Sequence, residues 1–341
     1  MRLNFKSIVS GGLVLGCLFI TPLMAQAEDA KTLSYDAMLT NYEYAYKEPV
    51  QFYEFESQKQ KLKMAYVVLK GLSDHPAITL LHGKNFNADY WAETAKFLND
   101  EGYTVIVPDQ IGFGKSSKPM AYQYSFASLA QHTKGLLESL GIESSIIIGH
   151  SMGGMLASRF ALQYPQMTQK LILVNPIGLE NYLQYVDYKD VDFFYKNELA
   201  KTPEKIYAYQ KANYYDGEWT DKYQKLTNFM VGQVQGPEAE KIAWVNAMTY
   251  DMIFTQPVVN DLKDLTVPTR LILGTRDRAG PGRGWKKDGV DYELGRYDKL
   301  GGQAIQHIPD AHLYELDGLG HLPQMEDFTR FSIILKQSIE Q

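Results

Sequence analysis

Short apolar runs alternate with longer amphipathic stretches along most of this chain, and that alternation predicts its elements. Val50–Ser57 and Lys61–Leu69 alternate polar and apolar residues on either side of a polar link, Gln58-Lys59-Gln60, which predicts an antiparallel hairpin. Six further runs are unalternated and rich in Ile, Val and Leu: Ala77–Leu81, Tyr103–Pro108, Ser145–Ile148, Leu171–Val174, Leu271–Leu273 and Leu313–Leu316. Runs of this kind are strands buried on both faces of a parallel sheet, where helices cover each side and no residue faces water. Helical stretches separate them, including Trp91–Asn99, Ser125–Leu140 and Met152–Tyr164. The predicted class is α/β: a mostly parallel central sheet with helices on both faces.

Two segments depart from this rhythm. Residues 177–262 carry ten of the 24 tyrosines, Trp219, Trp244 and repeated Lys/Glu pairs, and read as several amphipathic helices inserted between two core strands. Most of those aromatic residues are expected to form the insertion's own core, and a few to face a pocket beneath it. Residues 1–27 open with Arg2 and Lys6, continue through a largely apolar Ile8–Met24, and end in Ala25-Gln26-Ala27, a small-residue cleavage pattern. A membrane anchor is the competing reading, but Gly11, Gly12, Gly16 and Pro22 interrupt a short apolar run. Lipidation at Cys17 is another, but the residues after Cys17 stay apolar, as in the middle of a leader. The expectation is an export signal cleaved before Glu28, placing the protein in a periplasm or outside the cell. The chain then divides into a leader (1–27), a first core segment (28–176, opening on a polar, Tyr-rich arm), a helical cap (177–262) and a second core segment (263–341).

Loss of the leader changes the composition in two ways. It removes the single cysteine, Cys17, so the mature chain has no disulfide, no thiolate metal site and no cysteine nucleophile. It also leaves 32 Lys and Arg against 40 Asp and Glu, a net charge of −8. No basic patch argues for nucleic acid or for an anionic membrane, and no stable membrane insertion is expected after cleavage.

The chemistry concentrates at Ser145-Ile146-Ile147-Ile148-Gly149-His150-Ser151-Met152-Gly153-Gly154-Met155-Leu156-Ala157. A β-branched strand runs into Gly-His-Ser-Met-Gly and an apolar helix follows without a break, which is the pattern of a nucleophile elbow. Such a turn holds its serine in a sparsely populated backbone conformation, with the helix N-terminus aimed at it. A serine hydroxyl needs a base within hydrogen-bond reach, and the base needs a third group to orient it. His321, in Gly318-Leu319-Gly320-His321-Leu322-Pro323, follows the last core strand on a glycine-rich loop and is the preferred base. His150 lies inside the elbow, and His75, His132, His307 and His312 read as solvated or packed residues. Asp277, in Leu273-Gly274-Thr275-Arg276-Asp277, leaves the end of a strand and is the preferred acid; Asp264 precedes that strand and belongs at the opposite edge.

With these motifs the chain resembles the α/β-hydrolase superfamily, whose partners occur in the order Ser151, Asp277, His321. The resemblance covers nearly all of the mature chain. It implies an oxyanion hole made by the backbone N–H of Met152 and an amide of His82-Gly83-Lys84-Asn85-Phe86, assigned to Lys84 with Asn85 as the alternative. It also implies a bracing role for His82 and a structural one for Asp109–Ser117. Lys84-Asn85 stands where a proline-iminopeptidase-like enzyme would continue Gly-Pro-Gly, and serine at the elbow argues against haloalkane dehalogenase and epoxide hydrolase chemistry. The expected function is hydrolysis of carboxylic esters or related acyl compounds, with a small acyl molecule as partner and no metal or organic cofactor. Carbon–carbon hydrolysis of ring-cleavage products, or ligand binding with little turnover, are the alternatives. The segment Ala279–Trp285, inserted between the acid and the base, is expected at the pocket rim. No oligomeric state follows from the sequence.

Overall fold

The computed structural model describes residues 45–72 and 74–341. The expected leader, with Cys17, and the polar arm as far as residue 44 lie outside the described residues.

Gln51–Ser57 (β1) and Gln60–Leu69 (β2) pair antiparallel, with Ser57 opposite Gln60. The link is two residues rather than the expected three, because Gln58 and Lys59 both take positive φ, 49° and 62°. A two-residue turn of that hand matches the twist of the strands it joins, so Gln60 is free to start β2. Thr104–Pro108 (β4) then pairs antiparallel with β2 and parallel with Ala77–Leu81 (β3). Ser145–His150 (β5), Thr168–Val174 (β6), Thr269–Gly274 (β7) and Ala311–Leu316 (β8) extend the sheet in parallel. The order is β1-β2-β4-β3-β5-β6-β7-β8. All six unalternated runs are strands; β5, β6, β7 and β8 extend two or three residues beyond them, β3 matches its run and β4 starts one residue later. β8 departs from the expected burial: it closes the sheet as an edge strand, and only Leu316 in it is buried.

Both faces of the sheet are covered. Ile147, Leu171 and Leu173 point to one side, into a core shared with Phe126–Ser139 (α2) and Met152–Gln163 (α3). Ile146, Ile148 and Ile172 point to the other, against Ala92–Asp100 (α1) and the terminal helix Phe328–Glu340 (α10). Four helices, Val191–Leu199 (α4), Pro203–Asn213 (α5), Asp221–Gln235 (α6) and Ala239–Thr255 (α7), fill the connection between β6 and β7. Three of them start on side-chain caps: Asp190 accepts from the Phe193 N–H at 2.9 Å, and Thr202 and Thr220 accept from those of Lys205 and Tyr223 at 3.3 Å. Tyr297–Ala304 (α8) and the short Pro323–Glu326 (α9) complete the α-helices among the described residues.

The closest approach of strand and helix is at the end of β5. Ser151 stands at φ 56° and ψ −122°, outside the region side chains favour, and α3 begins at the next residue. A Cβ at Gly149 would lie 2.1 Å from the Gly153 carbonyl oxygen and 2.7 Å from Ala157 Cβ; one at Gly153 would lie 2.3 Å from the Leu81 oxygen. Only hydrogen at both positions lets α3 dock on β5 and β3 at this distance.

Gly149→Ala should therefore force strand and helix apart and cost about 3 kcal/mol or more in denaturant unfolding, the upper range for overpacking. Gly302→Ala, where an added methyl meets open space on α8, should leave stability unchanged or slightly raised.

Candidate active site

Parallel pairing puts the carboxyl ends of β3, β5, β6, β7 and β8 along one edge of the sheet, and a residue of interest leaves each end. Ser151 follows β5, Asn175 follows β6, Asp277 lies three residues past β7, and His321 lies on the loop after β8. The structure brings Ser151, His321 and Asp277 into one hydrogen-bonded chain. The Ser151 Oγ–H donates to His321 Nε2 at 3.0 Å, and His321 Nδ1–H donates to Asp277 Oδ2 at 2.7 Å. Asp277 is fully buried, His321 2% exposed and Ser151 8% exposed, so accessibility rises along the chain from the carboxylate to the serine.

A buried carboxylate with one partner would be costly, and Asp277 has three. Asn175 Nδ2 donates to its Oδ2 at 2.8 Å and the Ala279 N–H to its Oδ1 at 2.7 Å. Asn175 Oδ1 in turn accepts from the Gly274 N–H at 2.9 Å, which ties β6 to the start of the acid's loop. The neighbouring arginines do not compete. Arg276 pairs with Glu326 and donates to the Gly318 carbonyl at 2.9 Å, and Arg278 faces Asp298 at 3.4 Å. Asp264 is exposed, pairs with Lys263 and precedes β7, at the far edge of the sheet.

His321 is held as firmly as its acid. Its backbone carbonyl accepts from His150 Nε2–H at 2.7 Å. A carbonyl can only accept, so His150 carries its proton on Nε2 and its Nδ1 accepts from the Tyr90 hydroxyl at 3.0 Å; that hydroxyl accepts in turn from the Gly83 N–H, also at 3.0 Å. Burial, and then the adjoining His321, hold His150 well below the usual histidine range, so it stays neutral beside the candidate base. The His321 ring has two aromatic neighbours, His150 at 4.9 Å and Tyr214 at 5.0 Å between ring centres. Glu326 Oε1 accepts from the Gly320 N–H at 2.8 Å, fixing the loop one residue earlier. His307 and His312 are exposed, and His132 is buried against Phe55 at 4.6 Å, away from this chain of contacts.

The loop after β3 crosses the elbow: a Cβ at Gly83 would lie 3.0 Å from Ser151 Cβ. The amides of Lys84 and Asn85 follow immediately, and the Met152 N–H is among the first donors of α3, which helix geometry leaves without an intrahelical partner. His82, neutral by burial, donates from Nδ1 to the Gly83 carbonyl at 2.9 Å and accepts at Nε2 from the Gln110 N–H at 3.0 Å, which joins the β3 and β4 loops. In the β4 loop Asp109 accepts from the amides of Ala88 at 2.6 Å and Lys115 at 2.7 Å, so Asp109–Ser117 is a buried turn under the site.

A cavity of about 400 Å³ opens over Ser151 and His321. Its walls include Phe194, Tyr209, Tyr214 and Tyr250 from the inserted segment, and Ala279, Pro281 and Trp285 from the loop after β7. Three of the ten tyrosines in the insertion thus face the cavity. The segment Ala279–Trp285 contributes to its wall, and Lys84 and Glu198 form a polar corner.

The arrangement can activate an alcohol: the imidazole can remove the hydroxyl proton and the carboxylate can stabilise the resulting imidazolium. Sequence reasoning named the serine, histidine and aspartate but not Asn175, Tyr90, Tyr214 or the Arg276–Glu326 pair. An asparagine at a strand end, in Leu173-Val174-Asn175-Pro176, was the available signal for the first; the others depend on packing alone.

Comparison with known proteins places these features in context. A family model described as alpha/beta hydrolase fold matches residues 76–266. The crystal structure of a probable hydrolytic enzyme from Pseudomonas aeruginosa is 44% identical with a TM-score of 0.85, covering 87% of this chain and 96% of that one. The 2-hydroxy-6-oxo-6-phenylhexa-2,4-dienoate hydrolase of Comamonas testosteroni is 26% identical over 277 residues, 75% of this chain and 86% of the relative. A protein of Mycobacterium tuberculosis is 41% identical over 128 residues; the match takes in 38% of this chain and spans only 34% of that relative's length.

The acid can be tested directly. Asp277→Asn keeps the shape of the contact but favours the wrong imidazole tautomer, so Ser151-dependent turnover should fall by about 10⁴-fold, as the same exchange does in a serine protease. Asp264→Asn should change turnover by less than about twofold, since exposed substitutions remote from a site cost little. Steady-state kinetics on the two variants checks both outcomes.

Proposed function

The chain belongs to the alpha/beta hydrolase family, and from that premise we propose that it is an exported serine hydrolase cleaving carboxylic esters or related acyl compounds. The observation that carries the reading is the Ser151–His321–Asp277 chain at the floor of the cavity. Ser151 Oγ attacks the acyl carbonyl while His321 Nε2 takes its proton. The oxyanion that forms is met by the N–H groups of Met152 and Lys84. Collapse of the tetrahedral intermediate breaks the bond to the leaving alcohol, which takes the proton from His321 and departs, leaving an acyl-enzyme. A water molecule then gives its proton to His321 and attacks the acyl carbon, releasing the acid and restoring Ser151. Asp277 holds the Nδ1 proton throughout. No metal or organic cofactor enters this sequence.

The Comamonas relative supports a second reading, carbon–carbon hydrolysis of a conjugated dienoate, for which the same residues would serve. Such a step leaves a carbanion that the substrate must stabilise, so it is confined to conjugated ketones, whereas an alkoxide leaves directly. A substrate panel holding both kinds separates the two readings.

Ser151→Ala should abolish labelling by a fluorophosphonate probe and lower kcat by about 10⁶-fold, the scale reported when a serine nucleophile is removed. Circular dichroism should remain that of the parent. Near-parental turnover in this variant would refute the assignment.

Export forms part of the proposal and rests on residues 1–27. Sequencing the protein recovered from its native host should read Glu28-Asp29-Ala30 at the N-terminus. An intact Met1, or a lipid on Cys17, would move the protein to another compartment.

A further inference from the structure

The polar corner of the cavity is unusual for a chain with more acidic than basic residues. The residues lining the cavity include three lysines, Lys84, Lys201 and Lys205, and one carboxylate, Glu198. Glu198 is committed to its own helix neighbourhood: its Oε2 accepts from Lys201 Nζ at 2.6 Å and from Asn246 Nδ2 at 3.4 Å. Lys84 reaches the other oxygen at a long 3.6 Å, and Asn85 Oδ1 lies at a long 3.4 Å from its ammonium. An ammonium has three donors, so Lys84 retains capacity for a stronger partner. Its side chain is 9% exposed and lies 5.2 Å from the Tyr250 ring, in the same cavity as Ser151. Lys205 stands at the exposed rim with its ammonium on the Ala200 carbonyl at 2.8 Å, so its charge is not cancelled by a carboxylate there.

Charge balance gives the same picture. Burial pushes the Glu198 carboxyl up, but Lys201 and Lys84 more than offset this and leave it below the usual carboxylate range. Burial lowers the Lys84 ammonium to about 8 even with Glu198 opposing the shift, a sign that this carboxylate, already shared with Lys201, only partly compensates the buried charge. A buried cation with spare donors, lining the same cavity as Ser151, is a costly arrangement unless a ligand completes it. An anion entering the cavity would replace the lost water, and a hydrogen bond between charged groups in that setting is shorter and stronger than a neutral one.

The geometry points to an acyl substrate that carries a carboxylate on its acyl portion, bound by Lys84 while its ester or related carbonyl lies at Ser151. Lys205 at the mouth adds a positive field that favours entry of the same anion. This inference rests on the serine-hydrolase reading and narrows it from acyl compounds in general to half-esters of dicarboxylic acids and their relatives.

The test compares acyl chains matched in length. The full mature protein is given p-nitrophenyl butanoate, pentanoate and hexanoate beside the mono-p-nitrophenyl esters of succinate, glutarate and adipate. At the best-fitting length the half-ester should be preferred in kcat/KM by about tenfold, the scale of one charged hydrogen bond. That preference should shrink as salt is raised. Lys84→Met, which keeps the backbone N–H and the length of the side chain, should remove the preference. Glu198→Gln, which releases Lys84 from its partner, should increase it, and supplies the reading if Lys84→Met does not fold. Equal or lower kcat/KM for the half-ester at every length, or a preference that neither variant changes, would overturn the inference while leaving Ser151-dependent ester hydrolysis standing.

A second measurement is independent of turnover. In the Ser151→Ala protein, calorimetry should find monomethyl glutarate bound about tenfold more tightly than methyl pentanoate, and the difference should vanish when Lys84→Met is added. That result in a protein whose parent hydrolyses no ester would uphold the anion site and reject the hydrolase reading. Equal binding of the two ligands would reject the anion site.

Discussion

One steric constraint underlies the candidate site: the helix after β5 must start against the strand it leaves, with no side chain between them. Gly149 and Gly153 satisfy it, and the residue between the two close contacts, Ser151, is driven to positive φ. Backbone strain of that kind costs on the order of 1–3 kcal/mol, and the surrounding structure must hold it in place. Here Ser151 donates its N–H to the Val174 carbonyl at 3.2 Å, while its own carbonyl accepts from Gly154 at 2.9 Å and Ile177 at 3.2 Å. The hydroxyl is left at the end of a fully buried strand, facing the loops of its neighbours.

Those loops are joined by a line of hydrogen bonds whose protons can be placed without choice. From the Gly83 amide through the hydroxyl of Tyr90 and the ring of His150 to the His321 carbonyl, each donor meets an acceptor, and the direction is set by a carbonyl at one end and an amide at the other. The line connects the loop that carries Lys84 to the loop that carries His321, the candidate base. Its neutral histidine matters electrostatically. A charged His150, with its ring centre 4.9 Å from that of His321, would oppose formation of an imidazolium there. Asn175 plays the matching part for the acid, binding the Asp277 carboxylate with its amide nitrogen and the β7 loop with its oxygen.

The cavity above that chain is built from different material. The sheet edge supplies the hydrogen-bonded Ser151–His321–Asp277 chain, and the segment between β6 and β7 supplies most of the cavity walls above it. Aromatic rings there offer apolar area with hydroxyl tips, which suits a substrate with an apolar body and few polar groups. The Lys84–Glu198 corner is the exception, a charged feature formed where a core loop meets the inserted helix α4.

What the sequence determined by itself was everything carried by local pattern. Unalternated Ile/Val/Leu runs are best satisfied between two layers of helices, so six strands and the parallel class were legible, although β8, at the edge of the sheet, buries only Leu316. Gly-His-Ser-Met-Gly after such a strand marked the elbow, and positions just past strand ends brought out Asp277 and His321, because carboxyl ends of parallel strands share an edge. The terminal helix Phe328–Glu340 went unnamed, as did α8, since neither adjoins a motif. The hairpin turn was set one residue too long, because nothing in Gln58-Lys59 advertises positive φ. Only the tertiary structure decided the rest. Asn175 reaches Asp277 across 102 residues, and His150 reaches His321 across 171. Contacts of that range leave no periodicity in the chain, because each depends on how two finished elements pack. The same reason hid the side chain of Lys84: its sequence position marks a loop amide, while its partner, Glu198, is set by the helix that packs over the core.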